Sequence, residues 1–216
     1  MSDVFVEMRQ GSNEWKQARA GSLGASDIAD ARARIKTGWG ASRAALMARL
    51  LIERLTGQSV ETYQSQAMRN GIEREPMARL GYEIEKGVTV VEIGLVRHPI
   101  IRGTHASPDG LVGDDGLVEI KCPEEAAHLD FLLTRQVPDR YHQQVQWQMC
   151  CAGRSWCDVV FYNPNFPGPM QLAIERVERN DRLIEEMEVD ARGFLDELAS
   201  KVAALLEAYG LEESAA

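Results

Sequence analysis

The alternation of apolar and polar positions divides the chain into a helical front, a β-rich middle and a helical end. At the front, Ser12 can cap a short helix over "NEWKQARA" that Gly21 ends, and Ser26 is a second cap candidate ahead of "DIADARAR". "IKTGWGAS" holds two glycines and reads as a loop. In "SRAALMARLLIERLTG" the apolar residues Leu46, Leu50, Leu51 and Leu55 recur at helical spacing, with Gly57 as the stop. Another helical stretch runs from about Gln64 to Lys86. Pro76 lies inside it, which predicts a kink at Glu75 or the first turn of a new helix there.

The middle is built from β-branched runs. "VTVVEIGLVR" reads as a strand that ends at Pro99, and "GTHAS" and "GLVEIKC" flank the turn-rich "PDG" and "GDDG". "PDRYHQQVQWQMCCAG" then predicts a helix from Pro138 to Gly153. "WCDVVFYN" and "MQLAIERV" read as two strands, joined by "NPNFPG". The last element is a helix over roughly Asp181 to Tyr209, whose stripe includes Leu183, Met187, Phe194, Leu198, Val202 and Leu205. This order predicts an α/β fold with a central mixed β-sheet flanked by helices, as a single domain over residues 1–216.

Composition narrows the class. Hydrophobic content of 44% and charged content of 26% are those of a globular protein. No apolar run reaches the roughly 18 residues needed to span a bilayer, so no membrane partner is expected. "MSDVFVEMRQ" shows no basic segment leading into an apolar core, which predicts a cytoplasmic protein. Cys122, Cys150, Cys151 and Cys157 form no C-x-x-C pair, so reduced thiols are expected rather than a zinc knuckle or a disulfide framework. The net charge of −9 argues against indiscriminate nucleic-acid binding. It is unevenly placed: residues 180–216 carry −7, whereas residues 1–58 carry +3. An acidic outer helix and a mildly basic front are compatible with a local site for an anion.

The chemistry concentrates in "THASPDGLVGDDGLVEIKCP". In a strand, residues two apart share a face, so Leu117, Glu119 and Lys121 point one way and Val118 and Ile120 the other. Glu119 and Lys121 then lie about 7 Å apart along the strand. The "GDDG" turn can fold this strand back on the preceding segment and bring Asp109 towards Glu119. Two carboxylates, a lysine and the Ile120 carbonyl are a chemically sensible site for Mg²⁺ or Mn²⁺ beside a phosphate. Taken singly, "PDG" is an ordinary turn, and Glu119 and Lys121 are an ordinary wet face of an edge strand. The combination P-D, a short gap, then apolar-E-apolar-K is the PD-(D/E)xK nuclease pattern.

The same stretch resembles the core of the lambda-exonuclease-like (YqaJ-type) viral recombinase nucleases. Three further segments resemble that family in the expected order: "EWKQARAGSLGASDI", "NGIEREPMAR" and "YHQQVQWQM". The resemblance runs from about Gly11 to Pro164 and is close to a phage-type alkaline exonuclease. It implies a restriction-endonuclease-like core with a helical N-terminal part and a long C-terminal helix. It also implies a 5′-to-3′ exonuclease, dependent on Mg²⁺ or Mn²⁺, that degrades one strand of double-stranded DNA from a free end to mononucleotides. The 3′ single strand left behind would serve recombination. By the same resemblance the enzyme is a homotrimeric ring with a single-strand annealing protein as partner, phage- or prophage-encoded in a bacterial host cell.

Residue by residue, the resemblance makes Asp109 and Glu119 metal ligands, with Ile120 contributing its carbonyl, and Lys121 the group that positions or activates water. It puts Glu75 on the family's acidic position, where Glu73 is the rival, and Gln144 on its active-site glutamine. On residues alone, Tyr141, Gln144 and Gln148 share a helix face that reads equally as a solvated polar stripe. Arg19, Ser26 and Ser107 match the positions that bind the terminal 5′-phosphate. Where lambda exonuclease has an arginine six residues after the lysine, this chain has Ala127, with His128 and Arg135 nearby. Trp15 and Trp147 read as core aromatics, and Trp39 as a residue that stacks on DNA or packs at the surface. Two other readings remain: an endonuclease of the same fold, restriction or junction-cleaving, and a non-catalytic DNA-end or partner-binding module.

Overall fold

A computed structural model describes residues 5–60 and 66–211. In chain order the elements are β1 (Phe5–Val6), α1 (Asn13–Arg19), β2 (Leu23–Gly24), α2 (Ile28–Ala31), β3 (Arg34–Ile35), β4 (Gly38–Trp39), α3 (Ala41–Thr56) and α4 (Gln66–Lys86). There follow β5 (Val90–Val91), β6 (Leu95–Arg97), β7 (Thr104–Ala106), β8 (Gly110–Val112), β9 (Gly116–Lys121), α5 (Glu125–Thr134), α6 (Asp139–Ala152), β10 (Trp156–Tyr162), β11 (Leu172–Glu178) and α7 (Asp181–Ala208). Helices flank two mixed sheets. One has the order β11-β10-β9-β8-β5, with only β9 and β10 parallel; the other has the order β1-β6-β7-β2, with only β2 and β7 parallel. A separate hairpin pairs β3 with β4.

Three apolar clusters hold these layers. Leu117, Phe131, Val145, Met149, Val159 and Phe161 fill the space between the five-stranded sheet and helices α5 and α6. Ala78 and Tyr82 of α4 pack on the opposite face, against Val118, Ile120 and Val160. The largest cluster joins α2, α3 and α7 to the four-stranded sheet through Leu23, Ile28, Leu50, Val96, Phe194 and Leu198. Helix α6 serves two of them, because Val145 and Met149 face one cluster while Trp147 and Cys151 face another. Each fully buried side chain of this kind stabilises the fold by about 1.5–3 kcal/mol.

Several sequence expectations change. "VTVVEIGLVR" is two strands in different sheets, because the N-terminal segment crosses at Gly94; any side chain there would collide with the Met8 backbone. "IKTGWGAS" is not a plain loop, because the β3–β4 hairpin runs into it from Arg34. Pro76 neither breaks α4 nor starts a new helix, and Gln64, the expected start, lies outside the described residues. Ser26 does not cap α2: it sits in a 3₁₀ turn over Ala25–Asp27, and Asp27 occupies the cap position. Ser12 does cap α1, accepting from the Trp15 N–H at 3.1 Å. Helix α5 was not anticipated. Its apolar residues form no clear stripe, since Leu129 and Leu133 are exposed while His128 is buried. The four cysteines are free thiols, three of them buried. Among the described residues no helix is long and apolar enough to cross a membrane.

Charge asymmetry also takes a definite form. The acidic α7 is not simply a solvated face: Asp190 pairs with Arg32 and Arg34, and Glu197 with Arg43. Much of the basic front is thereby neutralised within the chain.

Candidate active site

The register of β8 against β9 places Gly110 opposite Val118, so Asp109 comes next opposite Glu119. At Pro108 the ladder stops. Proline has no N–H to donate, and its carbonyl is taken by Gln10 Nε2 at 2.9 Å. The Ile120 N–H that would continue the ladder donates instead to Asp109 Oδ2 at 2.6 Å. The amide and carbonyl of one strand residue point to the same edge. The Ile120 carbonyl therefore also faces the edge that β8 has vacated, beside Asp109. This is the physical content of P-D before a strand: the proline ends the pairing and the aspartate takes over its last backbone donor.

Glu119 is 3% exposed, and all of its described partners are donors. Oε1 accepts from Lys121 Nζ and from Gln144 Nε2, both at 2.7 Å, and Oε2 accepts from Gln148 Nε2 at 2.7 Å. Lys121 Nζ also donates to Gln144 Oε1 at 3.1 Å and sits 4.5 Å from the centre of the Tyr141 ring. Tyr141, Gln144 and Gln148 are thus the polar face of α6 turned onto β9, not a solvated stripe. The sequence places Gln148 on the face of Gln144 but assigns it no role in the site. It occupies the same face one turn after Gln144, and that spacing was its signal.

Glu75 approaches from α4, one turn before Ala78, and is part-buried with Oε1 on Arg79 at 2.7 Å; Glu73 is exposed. Burial raises the Glu75 pKa, Arg79 opposes this, and Glu119 adds to the rise. Asp109 is raised well above the usual carboxylate range, by burial first and then by Glu119 and Glu75. Burial pulls Lys121 down, but Glu119 and Asp109 more than offset it, so the lysine is held as a cation. Burial pushes the Cys122 thiol up to about 12, which removes it as a nucleophile.

The centre therefore has more acid than its single lysine can balance. Asp109 Oδ1, the second lone pair of Glu119 Oε2 and the Ile120 carbonyl are hard oxygen donors at the end of one strand pair. Such a donor set fits a divalent cation of the Mg²⁺ or Mn²⁺ type. Another group, His98, Cys150 and Glu188, also has ligand atoms within 4.8 Å of one another. His98 Nδ1, however, accepts from the Ile100 and Ile101 amides at 3.2 and 3.0 Å, which places the ring proton on Nε2, the atom facing Cys150 and Glu188. That group is a hydrogen-bonded triad.

Of the second predicted subsite, Arg19 and Ser107 are both brought onto the Trp15 indole. Strands β2 and β7 run parallel with Leu23 beside Thr104 and Gly24 beside His105, and Ser26 and Ser107 each follow two residues beyond that last pair. The Arg19 guanidinium carbon lies over the Trp15 ring, 3.9 Å from its centre. Trp15 Nε1 donates to Ser107 Oγ at 3.2 Å and to the Gly94 carbonyl at 3.0 Å. Trp15 is thus a half-buried platform and not a core aromatic, whereas Trp147 is fully buried. Neither neighbour of Ala127 replaces the missing arginine. His128 is buried against Phe166 and Met170, and Arg135 caps α5 and pairs with Glu175. Trp39 is 46% exposed, held between Arg34 and Arg43.

An α/β core with paired acids and a lysine at a broken strand edge defines a PD-(D/E)xK-type site. Residues 14–155 match the model of the YqaJ-like viral recombinase domain, and the chain belongs to that family. It is similar to an alkaline exonuclease (LHK-Exo) from Laribacter hongkongensis, with 44% identity over 92% of this chain and 98% of that one and a TM-score of 0.86. Against LHK-Exo in complex with dAMP, the identity and coverage are the same and the TM-score is 0.87. A phage-related exonuclease from Haemophilus somnus 129PT shares the fold at 13% identity, over 83% of this chain and 96% of that one, with a TM-score of 0.66. No curated protein matches. The family and these relatives support a nuclease role.

Proposed function

We propose that the chain is a divalent-metal-dependent 5′-to-3′ exonuclease acting from the free end of linear double-stranded DNA. The observation that supports this most is the Asp109–Ile120–Glu119 edge, acid-rich and hydrogen-bonded into place beside a cationic lysine. Asp109, Glu119 and the Ile120 carbonyl would hold Mg²⁺ or Mn²⁺, with Glu75 completing the acidic cluster. When bound, the ion supplies Lewis-acid activation of the scissile phosphate and of a water. Lys121 donates to the attacking water or to the phosphate oxygen, and Gln144 fixes Lys121 and Glu119 relative to each other. Arg19, Ser26 and Ser107 would take the terminal 5′-phosphate, so that one nucleotide at a time is presented. LHK-Exo in complex with dAMP is in keeping with a mononucleotide product.

In this reading the chain works as one domain in the cytoplasm of a bacterial host. A homotrimeric ring would enclose the duplex, and a single-strand annealing protein would receive the 3′ strand. The ring would have to compensate for a monomer charge of −9, which alone repels DNA.

The test is one assay with two substrates, end-labelled linear duplex and covalently closed circles, each with Mg²⁺. Mononucleotides from the linear duplex and no cut in the circles are expected. Nicked circles without loss from ends would show an endonuclease instead. Intact linear duplex after hours would leave a binding module.

A further inference from the structure

Arg19 differs from the arginines around it. Arg32, Arg34, Arg43 and Arg49 each lie against a carboxylate. Arg19 has none among the described residues. The nearest acids are engaged elsewhere: Asp27 pairs with Arg49 at 2.8 Å, and Glu53 accepts from the amides of Gly21 and Val60. What Arg19 does have is His105, whose Nε2 accepts from Arg19 Nε at 2.9 Å.

An arginine nitrogen can only donate, so His105 Nε2 must be the unprotonated ring nitrogen. The ring proton is then on Nδ1, where Ser22 Oγ lies 2.8 Å away to accept it. His105 is 3% exposed. Burial first, and then Arg19 and Arg49, lower its pKa to about 3, so the ring stays neutral. Trp15 covers one face of the guanidinium, and the two terminal nitrogens make no hydrogen bond among the described residues.

We infer that His105, its tautomer set by Ser22, is the residue that positions Arg19 for the 5′-phosphate. As a neutral acceptor it fixes the guanidinium at Nε while leaving its charge and its two-nitrogen edge for the anion. A carboxylate in the same place would orient Arg19 equally well and cancel the charge that the phosphate needs. Gly24 belongs to this arrangement, since a Cβ there would lie 3.3 Å from His105 Nε2.

The inference rests on the reading of Arg19 as the end-phosphate contact, and the test separates the two. Binding of a dye-labelled short duplex with a 5′-phosphate or a 5′-hydroxyl end is measured by anisotropy in EDTA, where cleavage does not intervene. Thermal melts confirm that each variant is folded. Wild type should prefer the phosphorylated end. His105→Ala should cut that preference roughly tenfold, with little change for the hydroxyl end. His105→Gln, whose Oε1 reaches the place of Nε2 as a neutral acceptor, should restore most of the preference. His105→Glu, with equal reach but a negative charge, should not. A preference unchanged in His105→Ala, or restored as well by Glu as by Gln, overturns the role given to His105. No preference in wild type overturns the reading of Arg19 and this inference with it, while mononucleotide release from linear duplex would still stand.

Discussion

The acid–lysine centre and the Arg19 clamp are separated by little more than Pro108, which lies between Ser107 and Asp109, yet they are unbalanced in opposite senses. At the centre, acids outnumber the lysine, and burial together with mutual repulsion raises Asp109 and Glu75. At the clamp, an arginine is held by an indole and a neutral imidazole, with no carboxylate paired to it among the described residues. Both regions are well ordered by hydrogen bonds and both leave charge unspent. Under the proposed function the difference is one of partner: the first region would take a cation and the second a phosphate. A binding cleft whose charges were satisfied internally, like that of Arg32 and Asp190, would attract neither.

The largest effect tests the acidic half. Asp109→Ala and Glu119→Ala should each lower the nuclease rate by roughly a thousandfold or more, because on the proposed reading the ion would lose a ligand that also aims the substrate. End-phosphate preference in binding, measured in EDTA, should survive both changes. Loss of that preference would mean that the two regions are one site and the contrast between them is false.

A smaller effect distinguishes holding from catalysing. Gln148 donates to Glu119 Oε2, while its own Oε1 is buried without a partner. Gln148→Met keeps the volume, removes the useful donor and removes an unsatisfied acceptor with it. Activity should fall about ten- to a hundredfold, as for other partners that orient a metal ligand. The melting temperature should change little, because the donor lost from Glu119 and the unsatisfied acceptor removed act in opposite senses. A clear drop in melting temperature with proportionate loss of activity would reduce Gln148 to a packing residue.

The two halves were not equally legible in the sequence. The centre is local: strand alternation and one tight turn bring Asp109, Glu119 and Lys121 together within 13 residues, and the helix face of Tyr141, Gln144 and Gln148 follows from its period. The clamp is not. Arg19 and Ser26 could be placed only by resemblance, and His105, in "GTHAS", looked like an ordinary strand residue. Its role depends on the parallel pairing of β2 with β7, across some eighty residues of chain, which no periodicity reveals. The fold shows the same divide. Helices with a stripe, such as α3 and α7, were visible, whereas α5 was not. The split of "VTVVEIGLVR" was hidden too, because its cause is the crossing of a remote segment over Gly94.

The smallest effect compares the two regions through stability in metal-free protein, with EDTA present throughout. The folded pKa of Asp109 is raised above its ordinary 3.8, so the native state holds a proton that the unfolded chain has released. Its contribution is therefore present at low pH and is lost as pH rises through the raised value. His105 runs the other way. Its folded pKa of about 3 lies below the ordinary 6.5, so its contribution is present above 6.5 and is lost as pH falls from there towards 3. Asp109→Asn should therefore stabilise the metal-free protein relative to wild type at neutral pH, with the gain shrinking on acidification. His105→Gln should look worst at neutral pH and recover relative to wild type as pH falls. Mn²⁺ at a hundred times its dissociation constant should add about 2.7 kcal/mol to the wild type. It should add much less to Asp109→Asn and leave the His105→Gln difference unchanged. Equal and parallel pH curves for the two variants would show that the opposite charge imbalance of the two regions does not reach the energetics of the fold.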